Sequence, residues 1–200
     1  MENRRDLTKE LLASCFKELM LEMPFEKITI KKITDKAGLI RPTFYKHFQD
    51  KYEVLEWILQ TEIYEGIQLM IKNHMELDAL LLLCRSFEKE KRFYRRCLNM
   101  EESPNSFKNI LTRYTKETLS ALFEKRPATL NAANTALTQE MLAAYYSYGL
   151  VNVLIDWLMQ PAEHSADELT DTFLFLFSHP ITDFIPAPEE KAVSALKPPV

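Results

Sequence analysis

Residues 29–51 read TIKKITDKAGLIRPTFYKHFQDK, and this stretch decides the fold. Ile30, Ile33 and Ala37 recur at helical spacing, so the first segment has one apolar face. Thr29 stands just before it, where a hydroxyl can accept from the N–H groups of the opening turn. Gly38 follows, at the point where a helix ending in the left-handed region favours a residue without a Cβ. Pro42 suits the first turn of a new helix, whose opening N–H groups have no intrahelical acceptor. Phe44 and Phe48, four apart, anchor that helix inward and leave Thr43, Tyr45, Lys46 and His47 to face outward. Two short helices joined by a glycine turn, the second carrying cations and hydroxyls, divide the labour as a helix-turn-helix does. Its second helix enters a DNA major groove while staying packed on the first.

Charge supports that reading by its distribution rather than its sum. The net charge is −4, which argues against a protein that coats nucleic acid uniformly. Between Lys27 and Lys51, however, seven cations face only Asp35 and Asp50. The acidic surplus lies beyond residue 52. A basic head on an acidic body fits a DNA reader joined to a regulatory unit. The apolar content of 46% with 11% aromatics can build a core, and only three glycines disfavour a loop-rich or all-β chain.

Around the quoted stretch the chain reads as helices throughout. Leu7, Leu11, Leu12, Cys15, Phe16, Leu19 and Met20 form an apolar stripe over residues 5–22, which Pro24 ends. Asp50 and Glu53 make a capping arrangement for a long helix reaching about residue 74. Lys51, in its first turn, is expected to reach a phosphate. Further helices are expected over 77–89, over 93–99, from a cap at Ser103-Pro104 to about Lys125, and over 138–160 up to Pro161. A last helix is capped by Ser165 and Glu168, with Leu169, Phe173, Leu176 and Phe177 as its buried side. Residues 126–137 read as a loop, and the four prolines from Pro186 onward read as a disordered tail. No period-2 alternation and no repeat appear. The predicted architecture is all-α, with a three-helix DNA-binding head at 1–50, a helical bundle at 51–185 and a tail at 186–200.

The run ITIKKITDKAGLIRPTFYKHFQDKYEVL resembles the N-terminal signature of the TetR/AcrR regulators almost position for position. GLVNVLIDWLM at 149–159 is similar to their penultimate helix. Phe93-Tyr94 followed by Asn105-Ser106-Phe107 resembles the subgroup containing dihydroxyacetone-kinase regulators. The resemblance implies a homodimer with two heads, a palindromic double-stranded operator and an effector-binding body. Carried over residue by residue, it puts Arg41, Pro42 and Thr43 near base edges, and Thr29, Tyr45, Lys46, His47 and Lys51 near phosphates. Chemistry agrees: the Arg41 fork suits guanine O6 and N7, the Thr43 methyl suits thymine, and Tyr, Lys, His and Thr are common phosphate partners. Ile40 departs from the pattern, standing where many members carry a Ser or Thr cap.

For the body, aromatic, thiol and amide side chains suggest an apolar effector pocket. The expected lining is Tyr64, Phe87, Phe93, Tyr94, Cys97, Met100, Phe107, Tyr114, Tyr145, Tyr148 and Asn152. For dimerisation, small residues that permit close approach and larger anchors point to Ala143, Ser147, Leu150, Leu154, Trp157, Leu158, Phe173 and Phe177. Enzymatic readings find little support. The histidines lack metal-ligand spacing, no glycine-rich phosphate loop occurs, and Cys15, Cys84 and Cys97 sit in no nucleophile motif. No cofactor, metal or membrane partner is expected. Unpaired cysteine spacing and the absence of a leader pattern point to a cytoplasmic protein. The leading expectation is a ligand-responsive repressor. An activator controlled by a protein co-activator, or a helical interaction module without DNA binding, remains open.

Overall fold

The computed structural model describes residues 2–126, 137–160 and 164–185. All secondary structure in these residues is helical. In chain order come α1 (Glu2–Glu22), α2 (Ile30–Lys36), α3 (Arg41–Tyr45) and α4 (Lys51–Leu59). A π-helical segment, Gln60–Tyr64, joins α4 to α5 (Glu65–Lys72). Then follow α6 (Glu76–Lys89), α7 (Lys91–Leu98), α8 (Phe107–Lys125), α9 (Gln139–Met159) and α10 (Ala166–Ser178). The 126–137 loop, the Pro161 stop and the 186–200 tail fall wholly or mostly outside the described residues.

Local chemistry sets the helix ends. The Thr29 hydroxyl accepts from Lys32 N, and the Asp50 carboxylate accepts from Tyr52 N and Glu53 N. Glu53 returns the favour to Gln49 N, and Ser165 with Glu168 closes a full capping box. Gly38 has φ +65°, a left-handed turn that any Cβ would strain. Gly66 meets a different limit, because a Cβ there would come within 3.0 Å of Leu82 where α5 packs on α6.

One continuous core runs from head to body. Phe16 of α1 meets Phe25 and Phe93 edge-on, Phe87 and Phe93 contact Tyr94, and Tyr94 stacks on Phe107. Three sequence expectations change. The helix expected from Ser103 begins at Phe107: a turn bond from Ser106 N to Ser103 O, and Asn109 reaching back to Ser103 O, fold 103–106 first. Leu7 and Leu11 are 58% and 44% exposed, so the inward stripe of α1 starts at Leu12. Leu176 and Phe177 are likewise exposed, and α10 buries Ala166, Leu169, Thr170 and Phe173 instead.

Candidate nucleic-acid interface and regulatory body

The second helix of the head is five residues long and anchored from beneath. Phe44 is fully buried and Phe48 nearly so, and Phe48 meets Phe44 and Trp57. With these two rings fixed, the helix direction is fixed. Its outward side carries Arg41, Pro42, Tyr45 and Lys46, all exposed, with Thr43 and His47 half-buried at its edge. The Arg41 guanidinium lies 3.5 Å from the Tyr45 hydroxyl. Ile40 occupies the N-cap without a side-chain bond, and Pro42 supplies the helical φ in place of a cap.

The other head cations divide into two groups. Lys36 pairs with Glu18 and Glu22 of α1, Lys31 with Asp35, and Lys32 donates to the Lys27 carbonyl. These tie α2 down. Arg41 and Lys46 form no ion pair among the described residues, so the unmatched positive charge gathers on the outward face of α3.

Lys51 points inward rather than out. Its ammonium donates to the carbonyls of Phe25 (2.7 Å) and Ile28 (3.0 Å) and sits 4.1 Å above the Phe25 ring. Partial burial lowers its pKa. The expectation of a phosphate contact thus meets a side chain already engaged, clamping the start of α4 to the turn between α1 and α2. Two more links join head to body. Arg96 of α7 donates to the Met20 and Leu21 carbonyls at the end of α1. Lys17 bonds Glu62 of the π segment at 2.5 Å and approaches Glu90 at 3.6 Å. No sequence pattern flags such pairs, separated by 45 to 76 residues.

In the body the expected pocket residues separate into three places. Phe87, Phe93, Tyr94 and Phe107 pack against one another as solid core. Cys97, Met100 and Phe107 border a small recess of about 220 Å³. Tyr145, Tyr148 and Asn152 lie on the exposed side of α9. Tyr64 alone of the set lines the aliphatic cavity of about 210 Å³ between α5, α6, α8, α9 and α10, while Tyr114 stacks behind it at 5.1 Å.

The expected dimer face also turns out to point inward. Ala143, Ser147, Leu150, Leu154, Trp157, Leu158 and Phe173 are buried within the subunit. Small residues do mark a close helix approach, but the partner is α8 of the same chain. The outward stripe of α9 is instead Met141, Tyr145, Tyr148, Asn152 and Met159. Beside it stand Phe175, Leu176 and Phe177 of α10, then Ile181, Phe184 and Ile185. Of the expected set, Phe177 belongs to this exposed face, where its ring meets Tyr146 at 5.5 Å.

Comparisons with known proteins bear on both halves. Residues 17–58 match the family model described as bacterial regulatory proteins, tetR family, and residues 76–179 match a transcriptional regulator C-terminal region of the same group. A curated relative, the HTH-type dhaKLM operon transcriptional activator DhaS of Lactococcus lactis, is 29% identical over 101 residues. That match covers 50% of this chain and 54% of the relative, so the chain spans about half the length of the curated protein it matches. Among solved structures, the dihydroxyacetone kinase operon activator DhaS is 20% identical with a TM-score of 0.59, covering 86% of this chain and 94% of that one. NalD, the secondary repressor of the MexAB-OprM multidrug efflux pump in Pseudomonas aeruginosa, is 18% identical with a TM-score of 0.63. It covers 89% of this chain and 96% of its own. At these identities the structural likeness is one of fold.

Proposed function

Because the chain belongs to the TetR family of bacterial regulatory proteins, we propose that it controls transcription as a homodimer gripping a palindromic operator. The observation that carries this is the outward face of α3: Arg41, Tyr45 and Lys46 stand exposed on a helix whose aim Phe44 and Phe48 fix. Residues 1–50 form the reading head, 51–185 the body and 186–200 a tail. Arg41, Pro42 and Thr43 approach base edges. Thr29, Tyr45, Lys46 and His47 meet phosphates, and Lys51 holds the register of the head. Two α3 helices would enter successive major grooves about 34–36 Å apart.

The dimer joins the exposed faces of α9 and α10. Tyr145, Tyr148, Leu176 and Phe177 offer the aromatic and aliphatic surface that a subunit interface buries, and a contiguous apolar face of this kind is unusual on a monomer. An effector in the body shifts the balance between two arrangements, of which one matches the operator spacing. The leading reading is a repressor released by its effector.

Selecting bound fragments from random duplex DNA with the purified chain tests the reading, together with light scattering for mass. A two-fold symmetric motif and a dimeric mass are expected. A monomer without affinity for duplexes at low salt would sink it. Activation is the second reading, because the curated relative is named an activator. A reporter behind the selected operator separates the two: deletion of the chain raises output under repression and lowers it under activation.

A further inference from the structure

The cavity of about 210 Å³ between α5, α6, α8, α9 and α10 has an almost wholly hydrocarbon wall, built from Ile67, Leu80, Leu83, Leu119 and Leu150. Its polar spot is a chain of hydroxyls. Thr115 donates to the Leu111 carbonyl at 2.9 Å, so it receives the Tyr64 proton, also at 2.9 Å. Burial raises the Tyr64 pKa far above the ordinary phenol value, and the group stays neutral. Glu76 is the one carboxylate in the lining, and Arg126 pairs with it. A charged guest would therefore surrender its hydration without meeting a free counter-charge. A cavity of about 150 Å³ holds a benzene, so this one suits a guest of roughly 8–10 non-hydrogen atoms.

Its position separates this space from a mere packing gap. Tyr64 ends the π-helical segment, and π turns inside α-helices recur at functional sites. Glu62 of the same segment pairs with Lys17 of α1. One five-residue piece thus touches the cavity through Tyr64 and the first helix of the head through Glu62.

We infer that this cavity is the effector site and takes a small uncharged molecule, mainly hydrocarbon with a single hydroxyl or carbonyl, whose polar end replaces Thr115 as the partner of Tyr64. The exchange uncouples the π segment from α8, and occupancy is felt at Lys17. This rests on the reading of the chain as a DNA-binding regulator.

Calorimetry on the full chain with 1-octanol tests it, using octanoate and octylamine as charged counterparts of equal length. Saturable binding of one octanol per chain is expected, with both charged probes at least tenfold weaker. Leu119→Trp fills the cavity and should abolish octanol binding. Tyr64→Phe keeps the ring and should weaken octanol several-fold while leaving octane unchanged. Equal or tighter octanoate binding overturns the ligand class, and undiminished octanol binding by a folded Leu119→Trp chain overturns the site. So does an absence of octanol binding up to its solubility limit. If Leu119→Trp fails to fold, loss of octanol preference over octane in Tyr64→Phe decides instead, and its retention overturns the assignment. Affinity for the selected duplexes is measured with and without octanol. Binding of octanol with no change in that affinity overturns the effector role. Loss of DNA binding by the ligand-free chain overturns the underlying reading instead.

Discussion

Replacing Lys51 with Met separates an inward clamp from a phosphate contact. Methionine keeps the aliphatic length and removes the ammonium. The wild-type ammonium donates to two carbonyls and covers the Phe25 ring. The Phe25 carbonyl also accepts from Ile28 N at 3.0 Å and keeps that partner, while the Ile28 carbonyl loses the Lys51 donor. Hydrogen bonds from charged donors contribute about 1.5–3 kcal/mol each, and an unmatched carbonyl costs about 1–3 kcal/mol. Desolvation of the ammonium offsets part of this, leaving a net loss of about 2 kcal/mol. At about 2–4 °C per kcal/mol for a chain of this size, Tm should fall by about 4–8 °C. Urea denaturation measures the loss, and a salt titration on DNA measures the contacts. Each phosphate contact adds about 0.9 to the slope of log affinity against log salt. Lys51→Met should leave that slope unchanged once binding is measured well below Tm. A slope lower by about 0.9 per head, with stability intact, would refute the inward clamp.

Lys46→Ala should do the reverse, lowering the slope by about 0.9 per head with stability unchanged, while Arg41→Ala should also flatten base preference by about 1–3 kcal/mol at one position. Fragment selection with both variants checks this, and identical motifs from Arg41→Ala and wild type would remove Arg41 from base reading. Tyr148→Glu on the exposed side of α9 should yield folded monomers by light scattering, whereas Ser147→Leu, one residue earlier but buried, should lower Tm. Burial pushes the Cys84 thiol from 9.0 up to about 11 and raises Cys15 and Cys97 as well. The folded chain then holds these protons more tightly than the unfolded one, so their contribution to stability is full below pH 9 and is lost as pH rises towards 11. A pH series of urea midpoints should fall over that window, and thiol reagents at pH 8 should label the chain only as it unfolds.

The head was legible because its signals are local. Caps, the left-handed Gly38 and the Phe44/Phe48 pair each act within four or five residues, which is the range over which sequence spacing dictates geometry. The body was less so. Ala143 and Ser147 correctly marked a close helix approach, yet small residues cannot say whether the neighbour is α8 of the same chain or a second copy. Aromatic content pointed to a pocket, but flat rings such as Phe87, Tyr94 and Phe107 tile space efficiently, and the opening formed among Leu and Ile side chains instead. Lys51 misled for a related reason. A lysine in a basic stretch looks outward in sequence, and only the fold brings the Phe25 and Ile28 carbonyls beneath it. The π segment left no mark in the apolar spacing of residues 55–71.

Arg96 seals the end of α1 from the far side of the molecule, through the Met20 and Leu21 carbonyls, while Phe93 wedges beside Phe16. The reading head is therefore not a detachable cassette. A chimera that transplants only the first fifty residues onto a foreign body would leave those carbonyls bare and that ring unsupported. Swapping operator preference between relatives would require grafting the matching α7 face as well.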